Sequence, residues 1–356
     1  MNIYVLDKSL NKIDVIDDYE SVIWTTRYFT YGDFELTVNA TIKYINLLQR
    51  HFYLVREQDI VNDEYHNVMI ILNRQITTDE EEGDKLTVKG YCLKSILKRR
   101  VIVNQTILNG KVEDCVKQLI SENIVNPTDA SRQITNFKFG TNNLVSSNKM
   151  SLQVTGDNLE ETVYSICTAY GYGYDIYINE DKEFVFYMYE GADRSYAQDE
   201  NPHVVFSNEF DNLLSSNYEV NGDNYANVAI VAGEGEGVSR KKVSVGSTTG
   251  LERFEVYVDS RNSSTNDGTI SDTDYYNMLI EEGNETLLEA AITTKFEGEV
   301  DNTINYELNV NYFLGDLVQV ENDYKIQGRA RIIEVIHSED ETGETIIPTF
   351  SDMEGV

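Results

Sequence analysis

Across most of its length the chain alternates apolar and polar residues with a period of two. That pattern commits it to pleated strands with one face buried. FELTV (34–38), FYLVREQDIV (52–61), NVMIILNRQIT (67–77) and DKLTVKG (84–90) carry the pattern, rich in β-branched and aromatic residues. The acidic turn TDEEEGD (78–84) joins two of these as a long hairpin, with Gly83 free to take a positive φ. TIKYINLLQR (41–50) is the one short helical interruption. Residues 1–100 therefore predict an all-β unit, a barrel or a sandwich.

The next segment changes period. VEDCVKQLISENIV (112–125) puts Val112, Cys115, Val116, Leu119, Ile120 and Ile124 on one helical face, with Pro127 just beyond. DNLEETVYSICTAYG (157–171) starts with a capping-box pair, Asp157 and Glu160, and stops at Gly171. The hairpin YDIYINEDKEFVFYMY (174–189) turns at Asn179 to Lys182. Residues 101–202 thus read as an α+β insertion domain.

Strands resume at 203 with HVVF, NYEV, NVAIVAG and FEVYV (254–258). A polar loop (259–274) leads into a helix, YYNMLIEEGNETLLEAA (275–291), that Gly283 weakens. YELNV, LVQV, ARIIEVIH and ETIIPTF close the chain as further strands. The simplest division is a second β unit, 203–356, with a loop-and-helix insertion at about 240–300.

NVAIVAGEGEGVSRKK (227–242) raises the question of a phosphate site. A dinucleotide fingerprint needs Gly at its first, third and sixth positions, followed by a helix. Here Val238 stands where the last Gly would fall, SRKKVSVG is strand-like, and Glu234 and Glu236 would face the phosphate. The stretch is instead a strand-to-strand turn in which close approach or positive φ excludes side chains. No cofactor is expected.

Other chemistry is equally unsupported. The four histidines (His51, His66, His203, His337) have no partner at metal-ligand spacing, and no metal site is expected. GSTTG (246–250) has Thr where a hydrolase nucleophile would stand. With 61 acidic residues, no one carboxylate pair is distinguished. The 259–274 loop holds enough Asp and Asn to suggest Ca²⁺ but lacks EF-hand spacing, so a solvated loop is the plainer reading. Cys92, Cys115 and Cys167 form neither a disulfide framework nor a metal motif, and Cys115 and Cys167, on apolar helical positions, are expected to be buried free thiols.

A net charge of −32 argues against stable nucleic-acid binding and against docking on an anionic membrane. MNIYVLDKSLNK lacks a basic region followed by an apolar stretch, so no secretory signal is read. The longest clean apolar runs, Val68–Leu72 and Val228–Ala232, are far short of a membrane span. The 24 tyrosines, each an apolar ring with a polar tip, suit strands and protein interfaces.

Taken together, YEGADRS (189–195), NPHVVFSNEFDNLLSSNYEVN (201–221) and NYANVAIVAGEGEGVSR (224–240) resemble a family of tail proteins from siphophages and their prophages. The signature positions are Asp193 and Arg194, Phe206 and Ser207, then Gly233, Gly235, Gly237 and Arg240. WTTRYFTYGDFELTV (24–38), GYCLKSILKRRVI (90–102), GDLVQV (315–320) and the closing IIEVIHSEDETGETIIPTF extend the resemblance over nearly the whole chain.

The resemblance implies a mainly β chain with α+β insertions, in which two tube-forming, barrel-like β units are those of a baseplate or tail-tip hub. It implies a homotrimer whose six β units match the six-fold tail tube. Its partners would be distal tail or tail-tube proteins, the tape-measure protein, and tip or fibre proteins. The glycine turn would cross between strands of the second barrel, and Arg240 would pair with acidic neighbours or with another subunit. Made in the host cytoplasm, the protein would end in the virion, and DNA would pass through its ring without being held. An acidic bore would serve that passage, because Lys and Arg would make phosphates stick. The chain stops at Val356, soon after its last strand, so wall-degrading or receptor-binding extensions are expected on other proteins and no catalysis on this one. Two alternatives remain: a receptor- or carbohydrate-binding tail component using exposed tyrosines, and a cell-wall hydrolase with an unrecognised carboxylate pair.

Overall fold

The computed structural model describes residues 1–353, except 82, 142–143, 145–147, 266–267, 301–304 and 352. Side chains at 295 and 297–299 are likewise outside the description. The first hundred residues form β1 (Ile3–Leu6), β2 (Lys12–Ile16), β3 (Ser21–Arg27) and β4 (Asp33–Asn39), then helix α1 (Ile42–Leu47). They continue with β5 (Tyr53–Arg56), β6 (Ile60–Val61), β7 (Glu64–Tyr65), β8 (Met69–Thr77) and β9 (Lys85–Cys92). The middle segment supplies β10 (Thr106–Lys111), α2 (Val112–Ile120), β11 (Phe137–Phe139), β12 (Lys149–Val154), α3 (Leu159–Tyr170), β13 (Gly173–Ile178) and β14 (Phe184–Tyr189). Next come β15 (Val205–Ser207), β16 (Leu213–Asn221), β17 (Val228–Ala232), β18 (Lys242–Val245), β19 (Glu255–Asp259) and α4 (Asp272–Glu289). The chain ends with β20 (Thr293–Val300), β21 (Leu317–Glu321), β22 (Gln327–Asp340) and β23 (Gly343–Phe350).

The fold is mainly β, as the alternation predicts. One sheet runs β15-β21-β22-β3-β4-β9-β8-β5-β1-β2, with β23 also on β22. Both expected β units lie in this one sheet, and among the described residues neither closes into a hydrogen-bonded ring. Strand β22 is the reason. Its residues 327–331 pair with β21, whereas 334–340 pair with β3. Fourteen extended residues span roughly 45 Å, enough to serve both units in turn. The β22–β23 hairpin, far along the chain, therefore completes the sheet that the N-terminal strands begin.

The five-residue apolar run Val68–Leu72 is explained by burial on both faces. Met69 and Ile71 enter one core with Ile3, Val5, Leu36 and Val88. Val68 and Ile70 enter another with α2, α3 and the β13–β14 hairpin. The second core docks the α+β segment on the back of the first unit, and Cys115 and Cys167 are buried free thiols within it.

Four local readings change. FYLVREQDIV is not one strand. It breaks at a tight turn, Glu57–Asp59, where buried Asp59 grips Arg56 at 2.5 and 3.2 Å. Beyond it β6 and β7 form a hairpin, and β7 joins the five-stranded sheet β11-β14-β13-β7-β6. The α3 cap is Asn158, which accepts from the Glu160 N–H at 3.0 Å, and not Asp157; Gly171 ends the helix at φ +73° as expected. YELNV is not a strand but a loop, with Asn309 at φ +64°. Finally, β16 and β20 pair over 213–300 as an antiparallel ribbon, so everything from 222 to 292 lies at its tip. The inserted piece is the three-stranded sheet β18-β17-β19 covered by α4. It begins before the glycine turn, because β17 pairs with β18 and β19 and not with the large sheet. Gly283 has a packing reason, since a Cβ there would stand 2.6 Å from Val245 and 2.9 Å from Val231.

Candidate functional site

The signature residues form two separate constructions, one joining distant parts of the chain and one local. The first begins at Asp193 and Arg194. The Arg194 guanidinium meets Asp316 at 2.6 Å in a mostly buried ion pair. Asp316 also accepts from the N–H groups of Ala192 (2.8 Å) and Phe313 (3.0 Å). Backbone bonds Arg194 N–H to Leu317 O (2.7 Å) and Leu317 N–H to Ala192 O (2.9 Å) fasten this segment to the start of β21. Asp193 accepts from the Ser195 N–H and hydroxyl at 2.8 and 2.7 Å, shaping the turn. Just beyond, Phe206 is buried among Tyr306, Tyr312 and Phe350, with ring centroids 5.4–5.9 Å apart. The Ser207 N–H donates to Asn212 Oδ1 at 2.9 Å, and Asn212 Nδ2 donates to Val205 O at 2.8 Å. Arg194, Asp316, Ser207 and Asn212 are thus each answered by a partner, which burial demands.

At the heart of this construction stands Tyr28, fully buried and not singled out by the sequence reading. Its hydroxyl lies 3.1 Å from Gly171 O and 3.2 Å from Tyr189 O, and it accepts from the Gly191 N–H at 3.2 Å. A Cβ on Gly173 would lie 2.2 Å from the ring, and one on Gly315 would lie 2.3 Å from it. A Cβ on Gly191 would lie 1.8 Å from Gly315 O. Burial pushes the Tyr28 phenol up to about 12, so it is a neutral hydrogen-bonding group. Arg331 lies 5.4 Å over the ring and donates to Gly315 O at 2.6 Å. One tyrosine therefore touches the first β unit, the α+β segment and the second β unit. The signal for it was present in WTTRYFTYGDFELTV and GDLVQV, but nothing local to Tyr28 or Asp316 marks them.

The second construction is the glycine turn. The Gly233 Cβ position would be 2.1 Å from the Tyr275 hydroxyl, which accepts from the Glu234 N–H at 2.7 Å and donates to Ser263 O at 3.0 Å. Gly235 takes φ +98° and Gly237 φ +54°. Arg240 donates to Gly233 O (2.8 Å), to Ala232 O (2.6 Å) and to Tyr257 Oη (3.0 Å), and it pairs with Asp259. Its acidic neighbour is thus in the same chain. Arg261 and Arg240 together hold the Asp259 carboxyl down at about 2. Glu234 accepts from the Thr265 N–H (2.8 Å) and meets Lys241 at 2.9 Å, so both glutamate and lysine are occupied within the turn. The turn sits in the small inserted sheet, outside the large one.

Among the described residues no group of three or more His, Cys, Asp or Glu side chains is arranged to hold a metal ion. Asn266 and Asp267, within the loop considered for Ca²⁺, lie outside the described residues. The histidines stay apart: His66 stacks on Tyr177 at 4.9 Å, His203 bonds Gln198 O at 2.8 Å, and His337 is buried beside Arg56. No described helix is long and apolar enough to cross a membrane.

The family of Siphovirus ReqiPepy6 Gp37-like proteins matches residues 2–351, and the chain belongs to it. In fold the chain is similar to a tail protein from Neisseria meningitidis MC58, at a TM-score of 0.58 and 12% identity, covering 99% of this chain and 97% of that one. It is similar to the 43 kDa tail protein of prophage MuSo2 from Shewanella oneidensis (TM-score 0.57, 11% identity, 99% and 98% covered). The prophage tail protein gp18 from Listeria monocytogenes EGD-e stands alongside (TM-score 0.57, 12% identity, 100% and 96% covered). No curated protein matches the sequence.

Proposed function

We propose that this siphovirus-family chain, with the fold of prophage tail proteins, is a structural hub of the tail tip. Three copies form a ring that joins the six-fold tail tube to three-fold tip components and surrounds the DNA exit channel. One observation carries the reading: β22 runs through both β units, so each chain presents two of them as one continuous sheet. Three such chains offer six β units to a six-fold tube, whereas two free domains on a linker would not fix the spacing. The α+β segment, docked on the back of the first unit, and the ribbon-borne insertion carry sheets of their own and serve as contacts for neighbouring tip, tape-measure or fibre proteins.

The net charge of −32 supports a bore that repels phosphate, so DNA passes without being bound. The role is architectural: the signature side chains considered above spend their polar groups on partners within the chain, as Arg194 does on Asp316. The protein acts in the virion and needs no catalytic step.

Immunogold labelling of intact tailed particles tests this, using antibody against the whole chain on tips opened gently. Label confined to the tail tip is the expected result. Label on peripheral fibres would replace the hub with a receptor-binding role, and particles without label would end the tail assignment.

A further inference from the structure

The chain holds 61 acidic residues against 29 lysines and arginines, yet one strip of its surface is basic. Lys8, Arg50, His51 and Arg99 are exposed there, with Arg100 and Arg132 half-buried beside them. Four separate segments bring them together. Lys8 follows β1, whose Leu6 is the register partner of Tyr53 in β5. Arg50 and His51 lead into that same β5 and bind the middle of β8. The His51 N–H donates to Ile71 O at 2.7 Å, and Arg50 Nε donates to Leu72 O at 3.0 Å. Arg99 and Arg100 end the helical turn that follows β9. Arg100 donates to Arg132 O at 3.1 and 2.8 Å, and Arg132 donates to Val101 O at 2.6 Å.

These cations feel one another and no acid. Desolvation first, then Arg50, Arg99 and Lys8, hold the His51 imidazole below its ordinary value. Among the described residues no carboxylate pairs with Lys8, Arg50, Arg99 or Arg100. Asp7, next to Lys8, is spent on the N–H groups of Ser9 and Asn11 at 2.8 and 2.9 Å. Like charges gathered without counter-charges repel one another, and an acidic partner relieves that repulsion.

The opposite charge stands at the far end of β8. That strand pairs with β9 as far as Thr77 and Lys85, and the turn beyond carries Asp79, Glu80, Glu81 and Asp84, all exposed. Glu80 and Glu81 make no ion pair among the described residues. From Leu72, beside the strip, to Thr77 is about 17 Å of extended chain, so the sheet holds the acidic tip away from its own strip.

We propose that the acidic β8–β9 tip of one copy docks on the strip of Lys8, Arg50 and Arg99 in a second copy, the contact repeating head to tail. The proposal names the contact between copies in the hub reading above, and so rests on it. Basic and acidic patches at opposite ends of one strand make a heterologous contact, which closes into a ring when each copy is rotated against the last. A second copy fits better than another acidic protein because the complement is present on this chain itself. Both ends also expose apolar surface: Val101 (50%) and Val103 (59%) beyond Arg100, and Ile76 (50%) below the tip.

Sedimentation equilibrium of the full chain tests this. The parent should self-associate, with an association constant that falls roughly tenfold between about 0.05 and 0.5 M salt. Lys8→Glu with Arg99→Glu reverses the strip, and Glu80→Lys with Glu81→Lys reverses the tip. Both pairs are exposed, so each variant should melt near the parent yet sediment as single chains. Mixed in equal amounts, the two should associate again, because the reversed tip of one fits the reversed strip of the other. A mixture of folded variants that stays apart would overturn the contact. So would a parent association that either folded variant leaves unweakened, and in that case a ring held by another surface survives. A parent that remains single at every salt concentration would overturn the contact as well, while labelling of the tail tip still decides the hub reading.

Discussion

Two sets of glycines do opposite work in this molecule. Gly233, Gly235 and Gly237 are crowded into five residues and close a turn whose partners are nearby in sequence or within the same small insertion. Gly173, Gly191 and Gly315 are spread over as much as 142 residues, yet they enclose one side chain, Tyr28, or one another. The crowded set attracts notice because density is visible in a sequence. The scattered set holds three parts of the chain together and shows no local sign of it. Density of an unusual residue thus reports local backbone geometry, whereas long-range closeness leaves single residues whose partner only the fold reveals.

The sharpest way to break this comparison is to add one methyl group at each place. Gly191→Ala would set a Cβ 1.8 Å from a backbone oxygen, which cannot rotate away. Gly315→Ala would add a clash with the Tyr28 ring to a positive φ of 97°. Each should destabilise by about 4 kcal/mol or more, or prevent folding, as read by thermal unfolding of the soluble fraction. The expected loss spreads over both β units, since Tyr28 touches each. If these variants melted within a degree or two of the parent, the junction would not be the tie described.

The same contrast explains what the sequence could reveal. Alternation placed β4, β8 and β9 correctly because each strand's burial is written along itself. The helical faces of α2 and α3 were legible for the same reason. What escaped depended on a partner elsewhere. ARIIEVIH reads as one terminal strand, but nothing in it says that β22 changes neighbours from β21 to β3. NVAIVAG reads as a strand of the second β unit, yet its partners β18 and β19 put it in the insertion. In the candidate site, Asp193, Arg194, Phe206 and Ser207 are gathered near β21, whereas Asp316 and Tyr28, which complete that arrangement, had no motif of their own.

A smaller effect separates the two regions by pH. The insertion leans on the α+β segment through α4, whose Glu281 and Glu285 face Tyr170 of α3. Burial first, then Glu282, Glu281 and Glu289, push the Glu285 carboxyl from 4.5 up to about 7. A raised folded-state value means that the native state favours the protonated form. Its contribution to stability is therefore full below about 4.5 and is lost as pH rises through about 7. After correction for the intrinsic pH dependence, hydrogen exchange of α4 should be slower at pH 5.5 than at pH 8. Glu285→Gln should flatten that difference while leaving the amides around Tyr28 unchanged. A pH response that survives the substitution would place its origin elsewhere.

The smallest effect should come from the glycine turn itself. Gly237 has nothing within 4 Å of its Cβ position, so alanine there meets no atom and only the left-handed backbone at φ +54° resists it. That conformation costs an L-residue roughly 1–2 kcal/mol, and Gly237→Asn should recover part of it because Asn tolerates the region. Gly233, four residues earlier, differs in kind: its Cβ position lies 2.1 Å from the hydroxyl of a buried tyrosine held at Ser263 and Glu234. Comparing the melting of the two alanine variants therefore divides the crowded set into one glycine kept for backbone freedom and one kept for contact. If Gly237→Ala proved as damaging as Gly233→Ala, the turn would have to bear a load at its exposed tip, and a tip contact with a neighbouring tail protein would become the reason for its glycines.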